Sequence, residues 1–227
     1  MRLPHPMPQP LVTLSDFNLK AVCALNSWPP ADWSNVTPLP LQQAWLPAAE
    51  IAFLPAQVWL AATHDSFAII AELEDHDIAT AAQTHNDPLW DLGDVFEIFV
   101  RHTARPEYFE FHIAPNNVTL DLRYPKLYAS RADGVELYML TEPHFSAQAV
   151  CLPSKKLWRV AACLPVANLV TDESLVAAPS VWQFSFCRYD CGPNRGPAVS
   201  STSPHKAAGF HRAEEWLTFL APPFDIR

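Results

Sequence analysis

The chain has 227 residues, with 15 Lys and Arg against 24 Asp and Glu, which gives a formal net charge of −9 with neutral histidines. This acidic balance excludes sequence-independent binding to nucleic acid or to an anionic lipid surface, because both need clustered positive charge. Apolar residues make up 49% of the sequence and charged residues 17%, which supports a sizeable core and excludes a disordered chain.

Proline is the most unusual part of the composition. The chain has 23 prolines and 5 glycines, and proline ends helices and rarely fits inside a central strand. We therefore expect short elements joined by stiff loops. Four prolines interrupt the first ten residues, so no signal peptide is predicted, and no apolar run reaches the ~20 residues of a membrane span. The sequence thus predicts a cytoplasmic protein, or a secreted or periplasmic one if a leader has been removed.

The cysteines predict reduced thiols rather than a disulfide framework or a zinc site. They are odd in number, irregularly spaced and without a Cys-x-x-Cys pair. The five residues are Cys23, Cys151, Cys163, Cys187 and Cys191.

The first part of the chain is irregular. Residues 1–17 have no periodicity and are predicted to form an extended arm, ahead of one domain over residues 18–227. The prolines of 28–47 predict a loop, from which Trp33 and Trp45 are expected to reach the core.

Short, β-rich segments dominate the rest of the chain. The polar triplet His64-Asp65-Ser66 between two apolar runs predicts a hairpin turn. The predicted strands are 18–25, 58–63, 67–73, 94–102, 108–113, 117–124, 135–141, 145–152, 157–164, 181–189 and 216–220, with a helical turn at 165–170 and loops at 75–92 and 192–209. Such a series, without a helix of ~11 residues, predicts an all-β fold: a two-sheet antiparallel β-sandwich in a jelly-roll or immunoglobulin-like arrangement. Each apolar strand face needs a second sheet ~10 Å away to cover it.

One segment carries the strongest motif. Residues 89–100, Leu-Trp-Asp-Leu-Gly-Asp-Val-Phe-Glu-Ile-Phe-Val, place a tryptophan and two acids ahead of an alternating strand. Another motif, an apolar strand ending in acids at 69–77, precedes this segment. Further motifs follow it at 108–116, 184–190, 200–204 and 210–216. Taken together over roughly residues 55–221, the sequence resembles carbohydrate-binding module family 9 and its DOMON-like relatives.

The resemblance implies a non-catalytic domain that holds a terminal saccharide unit against aromatic rings. Sugars suit such a site because their apolar C–H faces pack on rings while their hydroxyls need directed hydrogen bonds. By motif position, the implied ligand-binding residues are the aromatic Trp90 and Phe210 and the polar Glu97, His112, Cys187 and Tyr189. Family members have Trp, Arg and an amide where this chain has Phe210, His112 and Cys187, respectively.

Each of these residues also has a structural interpretation. Trp90 could cover the sandwich, Phe210 could belong to the core, and Glu97 could pair with Arg101 or His112. The resemblance also implies calcium, for which Asp75 and Asp77 are the candidate ligands because hard oxygen donors cluster there; a solvated turn is the alternative. For Arg188 the sequence favours a structural salt bridge over a ligand contact. No other cofactor is predicted.

Two other functions remain as alternatives to saccharide binding, and a third is rejected. Related sandwiches bind haem through Met and His, for which Met139 with His112 or His102 are the available residues. Asp94 and Glu97 could be considered as a glycosidase pair, but three positions apart on a strand they point to opposite faces, so the chain is not predicted to be an enzyme. The other remaining alternative is a structural or protein-interaction sandwich. The expected partners are a saccharide and a glycoside hydrolase or another protein.

Overall fold

The computed structural model describes residues 7–23, 26–127, 134–193 and 195–226. Within these ranges the strands are β1 (Gln9–Pro10), β2 (Leu39–Pro40), β3 (Ala56–Ala62), β4 (Ser66–Glu74), β5 (Val95–His102), β6 (Tyr108–Ile113), β7 (Thr119–Tyr124), β8 (Ser146–Leu152), β9 (Leu157–Pro165), β10 (Ser180–Gly192), β11 (Arg195–Ser201) and β12 (Leu217–Ala221). The helices are α1 (Leu19–Cys23) and α2 (Leu89–Leu92). Single 3₁₀ turns lie at Ala31–Trp33, Val135–Tyr138, Pro153–Lys155, Val166–Asn168, Glu173–Leu175 and Ala213–Glu215. Neither helix within these ranges has the length and hydrophobicity that a membrane-spanning helix needs.

The strands form two sheets, which confirms the predicted all-β sandwich. A large sheet of seven strands has the order β1-β12-β10-β5-β6-β7, with β11 also paired to β10, and a small sheet of five has the order β2-β3-β4-β9-β8. Neighbours are antiparallel except β1 and β12, which run parallel. The β3–β4 hairpin turns where the sequence predicts, and its turn is closed by the Ser66 N–H, which donates to Thr63 Oγ1 at 3.1 Å.

The main core lies between the two sheets. The alternating residues Phe96, Ile98 and Val100 of β5 face the small sheet and are fully buried. From the small sheet, the Phe67 ring meets those of Trp182 and Phe184 edge-to-face, with centroids 4.9 and 5.0 Å apart. Burying each side chain of this size contributes roughly 1.5–3 kcal/mol, so this aromatic cluster joins the sheets.

A second apolar layer covers the opposite, outer face of the large sheet. We call it the outer cluster; its buried members include Leu89, Val95, Phe99, Tyr108, Leu120, Leu122, Tyr124, Cys187, Phe210 and Trp216. The segments after β11 and before β5 supply part of this layer. The large sheet is therefore buried on both faces, and its outer face carries the site described below.

Three sequence predictions of secondary structure are wrong. The predicted strand 18–25 contains α1, which begins after Asn18 because the Asn18 side chain accepts the N–H of Ala21; residues 24 and 25 lie outside the described ranges. The predicted strand 135–141 holds the 3₁₀ turn Val135–Tyr138 instead.

The predicted loop 192–209 contains the third difference, β11. This strand runs antiparallel to β10, with Cys187 opposite Ser201 and Gly192 opposite Arg195. It includes Pro197. Proline is tolerated in a strand of this kind, at the margin of a sheet. Elsewhere in the loops, Trp33 is fully buried as predicted, and Trp45 packs partly buried against the outer cluster.

Candidate functional site

Trp90 lies in α2, between the buried Leu89 and the turn at Gly93. Leu89 is buried in the outer cluster, whereas Trp90 is only partly buried. After α2 the chain turns through Gly93 with φ of 145°, where a Cβ would collide with the backbone of Ala79 and Thr80, so glycine is required here. The indole therefore takes a fixed position at the edge of the outer face.

Asp94 fixes the start of β5. Its Oδ2 accepts the N–H of Ala79 at 2.7 Å and its Oδ1 accepts the N–H of Cys191 at 2.8 Å. These bonds join the loop before α2 to β10. Since both carboxylate oxygens serve the backbone, Asp94 is a structural residue, in agreement with its exclusion as half of a glycosidase pair.

Three of the six implied ligand-binding residues form one row across the large sheet. Cys187 of β10 pairs in register with Glu97 of β5, and Glu97 pairs with His112 of β6. All three side chains point to the outer face. The rings of Trp90 and His112 meet edge-to-face, with centroids 5.5 Å apart and planes at 74°. The structure thus brings Trp90 next to this row.

A buried acid–imidazole cluster lies at the centre of the row. His112 Nε2 is 2.7 Å from Glu110 Oε1 and 3.5 Å from Glu97 Oε1. The three residues are 0–2% exposed. Ionised carboxylates only accept hydrogen bonds, so this arrangement suits the tautomer in which His112 Nε2 carries the proton. We call Glu97, Glu110 and His112 the acid–imidazole cluster.

The cluster continues towards solvent through His211. Its Nε2 is 3.6 Å from Glu110 Oε2 and its Nδ1 is 2.9 Å from the Tyr108 hydroxyl. The His211 side chain is 24% exposed, so polar groups run from the buried row to the surface. Sequence reasoning missed Glu110 and His211. The period-two alternation of β6 could have indicated Glu110, which shares a face with His112.

Phe210 and Cys187 are buried. Phe210 is 4% exposed and packs against Tyr189, Trp45 and Phe99, with ring centroids 5.9–6.3 Å apart. Its ring thus lies within the outer cluster rather than over an open cleft. Cys187 is fully buried, and desolvation raises the pKa of its thiol well above the ordinary value. Tyr189 is only partly buried, which leaves it closer to solvent.

A hydrogen-bonded chain anchors the segment that carries Phe210. Ser185 Oγ is 3.3 Å from His205 Nε2, and His205 Nδ1 is 3.1 Å from Glu215 Oε2. This order of groups is that of a nucleophile, a base and an acid. Ser185 is nonetheless fully buried and its Oγ is also 3.1 Å from Ser201 Oγ, so a substrate has no path to it. These hydrogen bonds hold the segment that carries Phe210 against the large sheet.

Of the residues considered for haem, His112 and Met139 lie on the outer face of the large sheet and His102 lies on its core face. His102 packs on Trp182 on the core side of the large sheet, with ring centroids 5.0 Å apart. Met139 packs against the outer cluster on the other side. The imidazole of His112 is already engaged by carboxylates. His102 and Met139 therefore cannot bind the same iron atom.

The candidate calcium ligands lie at one end of the sandwich. Asp75 is 1% exposed, and its Oδ2 is 3.1 Å from Nη2 of Arg188. This contact confirms the structural salt bridge expected for Arg188. Asp75 Oδ1 accepts the N–H of Asp77 at 3.0 Å. The Asp75 carboxylate thus already has a cationic partner.

Asp94 also predicts a pH dependence of stability. Burial raises the pKa of Asp94 to about 7, and the Asp75 carboxylate adds to the rise, while the N–H groups of Ala79 and Cys191 oppose it. The folded state therefore binds more protons than the unfolded state, so the contribution of Asp94 is complete below about pH 4 and is lost as the pH rises through about 7. We expect the difference in unfolding free energy between wild type and Asp94→Asn to shrink from pH 5 to pH 8 in urea titrations. A difference that is constant with pH would contradict this.

The comparisons with known proteins support the fold. No family model matches the sequence, and no curated protein matches it. Solved structures do match. A candidate carbohydrate-binding protein from Bacteroides uniformis has a TM-score of 0.69 at 14% identity, over 94% of this chain and 98% of its own.

Two further matches are solved complexes of a family 9 carbohydrate-binding module from Caldicellulosiruptor kristjanssonii. The complex with cellotriose has a TM-score of 0.62 at 12% identity, over 96% of this chain and 95% of the module. The complex with glucose has a TM-score of 0.58 at 13% identity, over 95% and 97%. The likeness covers nearly the whole of each chain, so the chain has the fold of family 9 modules, as the sequence motifs indicate.

Proposed function

We propose that this chain, which has the fold of family 9 carbohydrate-binding modules, is a non-catalytic saccharide-binding domain whose site lies at Trp90. One observation carries the proposal: a partly exposed indole stands beside the buried acid–imidazole cluster on the outer face of the large sheet. An indole packs against the C–H face of a sugar ring, and charged hydrogen-bonding groups suit its hydroxyls. The similar module from Caldicellulosiruptor kristjanssonii has solved structures in complex with cellotriose and with glucose.

The burial of the site residues divides their proposed roles. Trp90 supplies the stacking plane, and the partly exposed His211 and Tyr189 reach the hydroxyls. Glu97 and His112 lie beneath and orient the groups above them. Since Phe210 is buried in the outer cluster, we propose stacking on one ring rather than between two. A terminal saccharide unit is the finer proposal, and it rests on the motif positions.

The test is calorimetric titration with glucose, cellotriose and a panel of other oligosaccharides. Trp90→Ala is expected to weaken binding of the best ligand about 30-fold, because a central aromatic anchor contributes at least ~2 kcal/mol. Trp28→Ala is the matched control. Trp28 is also partly buried but lies with Arg159, whose guanidinium carbon is 4.6 Å from its ring centroid, on the small sheet.

The control should bind as the wild type does. Binding that survives Trp90→Ala would move the site elsewhere. If the wild type binds no saccharide in the panel, a structural or protein-interaction role is favoured, for which the dense packing of Phe210 is the supporting observation.

A further inference from the structure

Three carboxylates meet at one end of the sandwich, where the two sheets come together. Asp75 directly follows β4 of the small sheet, and Asp190 lies in β10 of the large sheet. With Asp77 they place carboxylate oxygens within 4.8 Å of one another. Calcium prefers oxygen donors grouped in this way, so by composition alone this cluster would favour the ion.

Arginine side chains already occupy the cluster. Arg188 is 1% exposed, and its Nη2 is 3.1 Å from Asp75 Oδ2 and 3.6 Å from Asp190 Oδ2. Arg195 Nη2 lies 2.8 Å from Asp190 Oδ1. The three carboxylates and two guanidinium groups give the cluster itself a formal net charge of −1. A divalent cation there would be strongly repelled by a buried guanidinium only a few ångströms away.

The hydrogen bonding of Arg188 also indicates that the residue acts as the cation of this cluster. Within the described part of the chain, its Nε and Nη1 have no hydrogen-bond partner, although both atoms are buried. An arginine recruited for its fork geometry would use several donors at once. Arg188 instead presents Nη2 to both acids, so it serves mainly as a buried positive charge that joins β4 to β10.

We infer that Arg188 replaces a structural calcium ion in this chain: its guanidinium links Asp75 and Asp190, and with them the two sheets. The folded state therefore does not depend on calcium at this end. Removing the guanidinium should leave the three acids with Arg195 as their remaining cationic partner in the cluster, and so convert the cluster into a calcium site.

Thermal unfolding in EDTA and in calcium chloride tests this inference. We expect the Tm of the wild type to be the same in both. Arg188→Ala should have a lower Tm in EDTA, and calcium at about one hundred times its dissociation constant should raise that Tm by roughly 5–10 °C.

Arg159→Ala is the matched control. Arg159 is also buried and pairs with one carboxylate, Glu72, at 2.7 Å. Its variant should be destabilised with no response to calcium. A wild-type Tm that rises with calcium, or an Arg188→Ala variant that folds but does not respond, would overturn the inference. If Arg188→Ala does not fold, Arg188→Gln takes its place in the test. The comparison of the wild-type Tm in EDTA and in calcium chloride tests the inference whichever variant folds.

Discussion

Replacement of His112 by phenylalanine is expected to lower the free energy of unfolding by about 3–5 kcal/mol, because the buried carboxylates of Glu97 and Glu110 would lose the donor that lies between them. His112 Nε2 donates to Glu110 at 2.7 Å and lies 3.5 Å from Glu97. Phenylalanine keeps most of the ring volume but removes this shared donor. Equilibrium unfolding in urea measures the loss, and saccharide binding should disappear with it.

A double-mutant cycle separates the charge from the packing. Glu110→Gln removes one buried negative charge, so the double variant Glu110→Gln/His112→Phe should be more stable than the sum of the two single effects predicts. His85→Phe is the control, because His85 Nδ1 meets the neutral hydroxyl of Thr119 at 3.1 Å. It should lose no more than about 1.5 kcal/mol. Additive effects in the cycle would show that the acid–imidazole contact is not energetically coupled.

Truncation of Phe67 to alanine is expected to reduce the free energy of unfolding by about 3–5 kcal/mol. Phe67 is fully buried, and its ring meets those of Trp182, Phe184 and Phe224 at centroid distances of 4.9–5.0 Å. These partners come from the large sheet and from the segment after β12, so collapse around the cavity would require several elements to move.

Phe17 provides the comparison for Phe67. It is only partly buried and packs edge-to-face on Trp33 at 5.7 Å, so Phe17→Ala should change the unfolding free energy much less. The urea midpoint should fall for Phe67→Ala with an unchanged slope. Equal losses in both variants would contradict the assignment of Phe67 to the joint between the sheets.

The sandwich could be predicted because its strands have apolar alternation and its turns have polar or proline signals. The hairpin at His64 and the strand from Val95 both lie where the sequence places them. The errors arise where a local contact outweighs propensity. Asn18 caps a helix inside a β-like run, and β11 forms by pairing with β10 despite Gly196 and Pro197, which propensity alone assigns to a loop.

The site was only partly predictable for a different reason. Alternation places Glu97 on the face of β5 opposite Phe96, but it does not show which loops cover that face. The cover depends on long-range bonds such as Ser185 to His205, twenty residues apart. The burial of Phe210 follows from that anchor and from Trp216, whose Nε1 donates to Phe210 O at 2.8 Å. No local sequence pattern encodes these contacts.

The two-sided burial of the large sheet has a consequence for protein engineering. Most groups that would recognise a ligand also hold the outer cluster together, so a change that alters selectivity there also endangers folding. His211, at 24% side-chain exposure, and the partly exposed Tyr189 stand at the margin of that layer. Libraries that vary these two positions first should yield well-folded variants with new preferences, whereas randomising the row beneath them should yield mainly insoluble protein.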